Sequence, residues 1–274
     1  MTALPLSELV TLLAALVAAG LAGGLIAGLF GVGGGTMIVP ALFYAFEVLG
    51  LGGEGNLHTA IGTSMLTIVA TSWRSLKAHR SHGAVDEVVL KTWTPWVGFG
   101  GLVGAGIAGL TSMAGLALVY GVCLALIAAQ LGLMPERYTL RKDLPTGWAR
   151  RGLGTVIGGL SAMMGIGGGS FGGMMMTLCG RPIHQAVATA SGFGLAIGAA
   201  ATLGFVVFGW DAVGRPPFSV GYVNIPAAVV MGLLTTLVAP WGAKLAHSLS
   251  RTMLRRAFAV YLLIAALAVV VKAV

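Results

Sequence analysis

The chain has 274 residues, of which 57% are hydrophobic and 9% charged, and its mean hydropathy is +0.94; a soluble domain carries roughly 25% charged residues. That composition excludes an ordinary soluble enzyme and points to a polytopic membrane protein. The net charge of +8 is no argument for a nucleic-acid partner, because the basic residues sit in a few connections between apolar stretches, where topology accounts for them.

Apolar stretches on the order of 20 residues, long enough to span, run at 9–30, 59–78, 92–112, 114–134, 186–209, 222–243 and 257–272. No basic residue precedes Arg74, so no cleavable signal peptide is expected. Segment 9–30 runs into the glycine motif GVGGGT (Gly31 to Thr36), and 36–47 leads to a connection holding Glu47 and Glu54. HTAIGT (His58 to Thr63) opens the next span, and the basic connection after it contains GAVD (Gly83 to Asp86). A second basic connection at 135–151 leads to GIGGGS (Gly165 to Ser170), HQAVAT (His184 to Thr189) and GYVN (Gly221 to Asn224). The second set of motifs repeats the first in order, at offsets of 134, 126 and 138 residues. One structural unit is therefore used twice, with an N-terminal repeat over 1–140 and a C-terminal repeat over 141–274. Trp73, Trp93, Trp96, Trp148 and Trp210 fall near span ends, as an interfacial aromatic belt requires.

Placing the basic connections in the cytoplasm puts 14 of the 16 Lys and Arg residues inside, with Arg215 and Lys272 outside. Each half then makes an odd number of crossings, which inverts its successor and leaves both termini outside. The predicted fold is an all-α polytopic membrane protein of two inverted-topology repeats. Each repeat has about five helical segments, with glycine-broken, re-entrant or half-length helices near the midplane. Segment 170–180 supports the half-length reading: 11 residues make about 16 Å of helix, half of a ~30 Å hydrocarbon core.

Glycine turns leading into half-helices suit an anion. Gly33, Gly34 and Gly35, with Gly167, Gly168 and Gly169, can aim successive N–H groups at one point. The following helix adds free donors and the positive end of its dipole, and Thr36 and Ser170 can add hydroxyls. Close packing of helices through small residues is the competing explanation for these glycines. Thr63 and Thr189 are candidates to line a polar path. His58 and His184 are candidates for proton handling, against the plainer role of capping. Arg215 is read as an outer-loop cation of little consequence. Cys123 and Cys179 have no metal-ligand spacing, so neither a metal site nor a cofactor is expected. No carboxylate falls mid-span, and no nucleophile–base pair suggests an enzyme.

The paired GVGGGT and GIGGGS motifs, HTAIGT and HQAVAT, and GYVNIPA (Gly221 to Ala227) followed by Pro240, Gly242 and Ala243 resemble the TauE/SafE family of sulfite-exporter-like permeases over nearly the whole chain. The resemblance implies a secondary transporter, often an exporter, of sulfite, a small organosulfonate or another sulfur-containing anion across the bacterial inner membrane. It also implies a small anionic substrate and the bilayer as partners, with no nucleic acid; the oligomeric state stays open, a homodimer being one option. The alternatives are a permease for another solute, such as thiosulfate uptake or a metal ion, and a non-transporting membrane scaffold.

Overall fold

The computed structural model describes Val10, Ala14 and residues 17–25, 35–133, 139–248 and 251–273. Helical turns over 17–25 precede α1 (Gly35–Val48), α2 (Asn56–Ser81), α3 (Glu87–Leu110) and α4 (Met113–Leu133). The second half holds α5 (Gly147–Met163), α6 (Gly169–Leu178), α7 (Ile183–Phe208), α8 (Ile225–Ser248) and α9 (Arg251–Ala273). Gly33 and Gly34 lie outside the described residues.

The expected all-α membrane architecture is observed. Met113–Gly132, Ile183–Phe208 and Arg256–Ala273 are each long and apolar enough to cross a membrane. Leu118, Val122, Leu126, Leu203, Leu233 and Leu267 are exposed on helices whose other faces form the core, the pattern of a lipid-facing exterior. Helix α2 is the buried centre: every residue from Asn56 to Met65 is enclosed, and α1, α7 and α8 pack around it. Its hydroxyls lower its hydropathy but meet protein rather than lipid.

Many glycines are explained by helix contact. Gly100 and Gly104 on α3 face α5, where a side chain would overlap the Thr155 and Gly159 backbone, and Gly154 and Gly158 on α5 face Trp96 and Val97 in return. Two small-xxx-small stripes thus bring the backbones together, and the order of contacts makes α3 and α5 parallel. Helices α2 and α7 run antiparallel, with Gly62 against Phe205, Gly198 against Met65 and Gly194 against Ser72.

Pro40 lies inside α1 and has no N–H for the carbonyl of Thr36, four residues earlier. Two tyrosines supply the missing donor: the hydroxyls of Tyr261 and Tyr120 reach the Thr36 carbonyl at 2.9 and 3.4 Å. The helix break is therefore stitched to α4 and α9 rather than left unsatisfied in an apolar interior.

Three details differ from the sequence reading. Helix α5 is absent from the expected spans because Arg150, Arg151 and five glycines dilute its apolar face. The expected span from 222 begins instead with a hairpin, β1 (Ser219–Val220) pairing antiparallel with β2 (Val223–Asn224). Gly221, with φ of 57°, takes the first central turn position, where a two-residue hairpin needs glycine. Trp93 is not an interfacial residue but is 2% exposed, packed in the core.

Candidate functional site

The second glycine motif resolves into positions with separate physical duties. Gly165 ends α5 in a left-handed conformation (φ 66°); its amide bonds Ala162 O and the next amide, Ile166 N, bonds Ser161 O, a Schellman closure. Gly168 lets the chain lie on α7, where an added Cβ would come within 2.7 Å of Phe193 Cβ. Gly169 starts α6 and faces open space, with nothing within 4 Å of its absent Cβ.

The two glycine motifs meet. A side chain on Gly35, the last glycine of the first copy, would overlap the carbonyl of Gly165 and approach Ile166 Cα to 3.0 Å. Ser64 of α2 donates to the same Gly165 carbonyl at 2.8 Å.

Helix α6 has only 10 residues, about 15 Å. Its C-terminal end is closed: Gly180 N bonds Thr177 O, Arg181 N bonds Met176 O, and the amides of Leu140 and Arg141 both bond Leu178 O. Its N-terminal end is not. Gly168 supplies no side-chain cap, and the first intrahelical bond is Gly172 N to Gly168 O, so the amides of Gly169, Ser170 and Phe171 precede it. The Ser170 hydroxyl is buried with no hydrogen-bond partner.

A cavity of about 300 Å³ opens at this uncapped end. Thr71, Ser72 and Ser75 of α2, Gln130 of α4, Ser170 and Thr177 of α6 and Ser191 of α7 supply its polar wall. Ile68, Ile127, Met174, Ile183, Val187 and Phe258 supply an apolar one, and among the described residues no ionisable side chain lines it. Its lining residues Ile183 and Val187 are exposed, which places an opening to the surface beside them. Gly165 and Ile166, which precede the lining Gly167, and Ser64 are all buried. A hydroxyl-lined cup with a free helix N-terminus can hold an anion without a cation in the wall.

Of the residues expected at the site, Gly167, Gly169 and Ser170 line the cavity. Thr36 is buried and turns its carbonyl to the two tyrosines. Thr63 and Thr189 are fully buried but spend their hydroxyl oxygens elsewhere. Thr63 Oγ1 accepts from Asn224 N and Thr189 Oγ1 accepts from Asp86 N, each at 2.9 Å. His58 is stacked on Tyr222, with centroids 4.9 Å apart, and its Nε2 bonds the carbonyls of Ala108 and Thr111 at 3.1 and 2.9 Å. It closes the C-terminal end of α3. His184, its counterpart, is exposed. At the basic rim, Arg181 approaches Asp86 at 3.7 Å, and the Arg80 guanidinium hydrogen-bonded to Glu87 holds that carboxyl below its ordinary range.

The model of the sulfite exporter TauE/SafE family matches residues 16–269. The chain belongs to the TauE/SafE family. A probable membrane transporter protein of Haemophilus influenzae is 28% identical to it over 249 residues, covering 89% of this chain and 92% of the relative. A probable membrane transporter protein of Bacillus subtilis is 30% identical over 183 residues, 59% of this chain and 66% of the relative. One of Methanocaldococcus jannaschii is 24% identical over 234 residues, 83% and 84% of the two chains. No solved structure matches. Family and relatives together place this TauE/SafE chain among the multi-pass membrane transporters. Its cavity includes Thr71, Ser72, Ser75 and Thr177, which sequence reasoning missed. For Thr71, Ser72 and Ser75 the signal is a hydroxyl-rich face running three and four residues apart along α2; Thr177 has none.

Proposed function

We propose that this protein exports a small sulfur-containing anion, a short organosulfonate or sulfite, across the bacterial inner membrane by alternating access. The observation that carries the reading is the α6 cup. An uncapped helix end, an unpaired Ser170 hydroxyl and six further polar side chains meet in a cavity of about 300 Å³ with no carboxylate in its wall among the described residues. That volume holds about ten waters at ~30 Å³ each. An inorganic anion would leave much of it wet, whereas the apolar wall formed by Ile127, Met174 and Phe258 suits a short organic tail. We therefore favour the sulfonate over sulfite.

Two repeats, 1–140 and 141–274, related by inversion in the membrane, fit the matched geometry of their motifs. Gly83 and Gly221 both have positive φ, 64° and 57°. Asp86 and Asn224 both cap a helix, accepting from the amide three residues on. The antiparallel run of α2 against α7, which carry the HTAIGT and HQAVAT motifs, supports opposite orientation of the two units. With the basic connections in the cytoplasm and both termini outside, the cavity opens inward, the loading side for an exporter.

Purified protein in liposomes should carry sulfoacetate or taurine faster than sulfate, with sulfite between them. Preference for thiosulfate would favour an uptake permease, and no flux of any of these anions in correctly inserted protein would sink the transport reading.

A further inference from the structure

The N-terminal end of α5 holds a second cluster that the transport pathway does not use. The Arg151 guanidinium lies between two indoles, 5.0 Å from the Trp96 ring centroid and 4.6 Å from that of Trp148. With both faces covered, its in-plane N–H donors are presented at the edge. Beside it Arg150 is half-buried, and its Nε is enclosed with no hydrogen-bond partner. Among the described residues neither arginine has a carboxylate within 4.0 Å. Thr146 makes no side-chain cap bond, and the first backbone bond of the helix is Arg150 N to Thr146 O at 3.4 Å. The amides of Gly147, Trp148 and Ala149 therefore add to the same positive end.

This cluster borders an apolar surface. Trp148 is 82% exposed, and nothing lies within 4 Å of a side chain built on Gly152. Further along the parallel helices, Phe99 and Val103 on α3 and Leu153 and Val156 on α5 are exposed. Cations at a helix end, indoles beside them and exposed aliphatic side chains deeper along the same helices match the layers of a lipid leaflet.

We propose that this corner binds an anionic phospholipid. The headgroup phosphate would bridge Arg150, Arg151 and the α5 amides, with the acyl chains along Phe99, Leu153 and Val156. A free phosphate satisfies only the first half of this arrangement, which is why the lipid is the assigned occupant.

Native mass spectrometry of the full chain in detergent tests it, with phosphatidylglycerol and phosphatidylcholine of the same acyl chains as probes. Phosphatidylglycerol should be retained in preference to phosphatidylcholine. At about fivefold per cation, the Arg150→Gln/Arg151→Gln double variant should lose that preference by roughly thirtyfold. Arg80→Gln, at an exposed ion pair, should keep it. Trp148→Ala removes an exposed side chain and should weaken retention several-fold; it carries the test alone if the double variant is not monodisperse. Equal retention of both lipids by the wild type would overturn the assignment. So would wild-type retention in the variants, or displacement of phosphatidylglycerol by millimolar inorganic phosphate.

Discussion

Thr189 and Asp86 are joined by a 2.9 Å hydrogen bond from the Asp86 amide to the threonine hydroxyl oxygen, and Thr63 and Asn224 repeat that bond at 2.9 Å with the halves exchanged. Each half thus anchors the helix start of the other. Thr63→Val or Thr189→Val keeps the shape and leaves a buried amide unpaired, at a cost of about 1–3 kcal/mol each. The two sites share no partner, so the double variant should be additive within about 0.5 kcal/mol. Thr→Ser at either position should restore most of the loss. Denaturant unfolding in detergent would measure this; wild-type stability in both valine variants would remove the clamps from the account.

His58 and His184 should behave differently despite their matched sequence positions. His58→Ala leaves the carbonyls of Ala108 and Thr111 without their donor and should cost about 1–3 kcal/mol of stability, with His58→Gln partly restoring it. His184→Ala changes an exposed side chain and should stay within about 0.5 kcal/mol. If transport by His58→Ala is abolished while its melting temperature is unchanged, a proton-handling role replaces the capping one.

Arg215 is more than a surface charge. Its Nη1 donates to Gly209 O at 2.8 Å and to Gly221 O at 3.4 Å, tying the hairpin to the end of α7, while Gly53 N and Gly55 N reach across to Gly214 O at 2.9 and 3.2 Å. Arg215→Ala should cost about 1.5–3 kcal/mol, the range for a hydrogen bond to a charged group. Limited proteolysis should then cut within 211–220 faster than in the wild type. Unchanged cleavage there would return Arg215 to the role its position in the sequence suggests.

The sequence revealed the frame more fully than the site. Repeated motifs and apolar lengths located the spans and the glycine turns, because lipid imposes length and composition directly. Which face of a helix meets which neighbour is set only on packing. Thr63 and Thr71 both lie on α2, yet one anchors a distant amide and the other lines the cavity. The glycines likewise look alike in a motif but divide in the fold: Gly165 supplies a left-handed turn, Gly35 and Gly168 permit close backbone approach, and Gly167 and Gly169 line the cavity, Gly169 with open space at its Cβ position. Helix α5 was hidden because its glycines serve the α3 seam rather than its own hydrophobic face.

Topology follows from the same charges that bias the loops. Reporter fusions after Gly83 and after Pro145 should report a cytoplasmic location, and a fusion after Lys272 an external one. A cytoplasmic C-terminal signal from correctly inserted protein would refute the inversion of the two halves.

The central claim is that an anion sits at the open start of α6, and a binding isotherm on Gly169 variants tests it most directly. Gly169 has no positive φ and no neighbour within 4 Å of its Cβ position, so Gly169→Leu should fold with wild-type stability while its side chain fills the cup. Titrated with the best anion from the flux screen, Gly169→Leu should show no saturable binding. Ser170→Ala should lose about 0.5–1.5 kcal/mol, the net worth of one hydrogen bond. Wild-type affinity in a folded Gly169→Leu protein would contradict the account and move the anion away from α6.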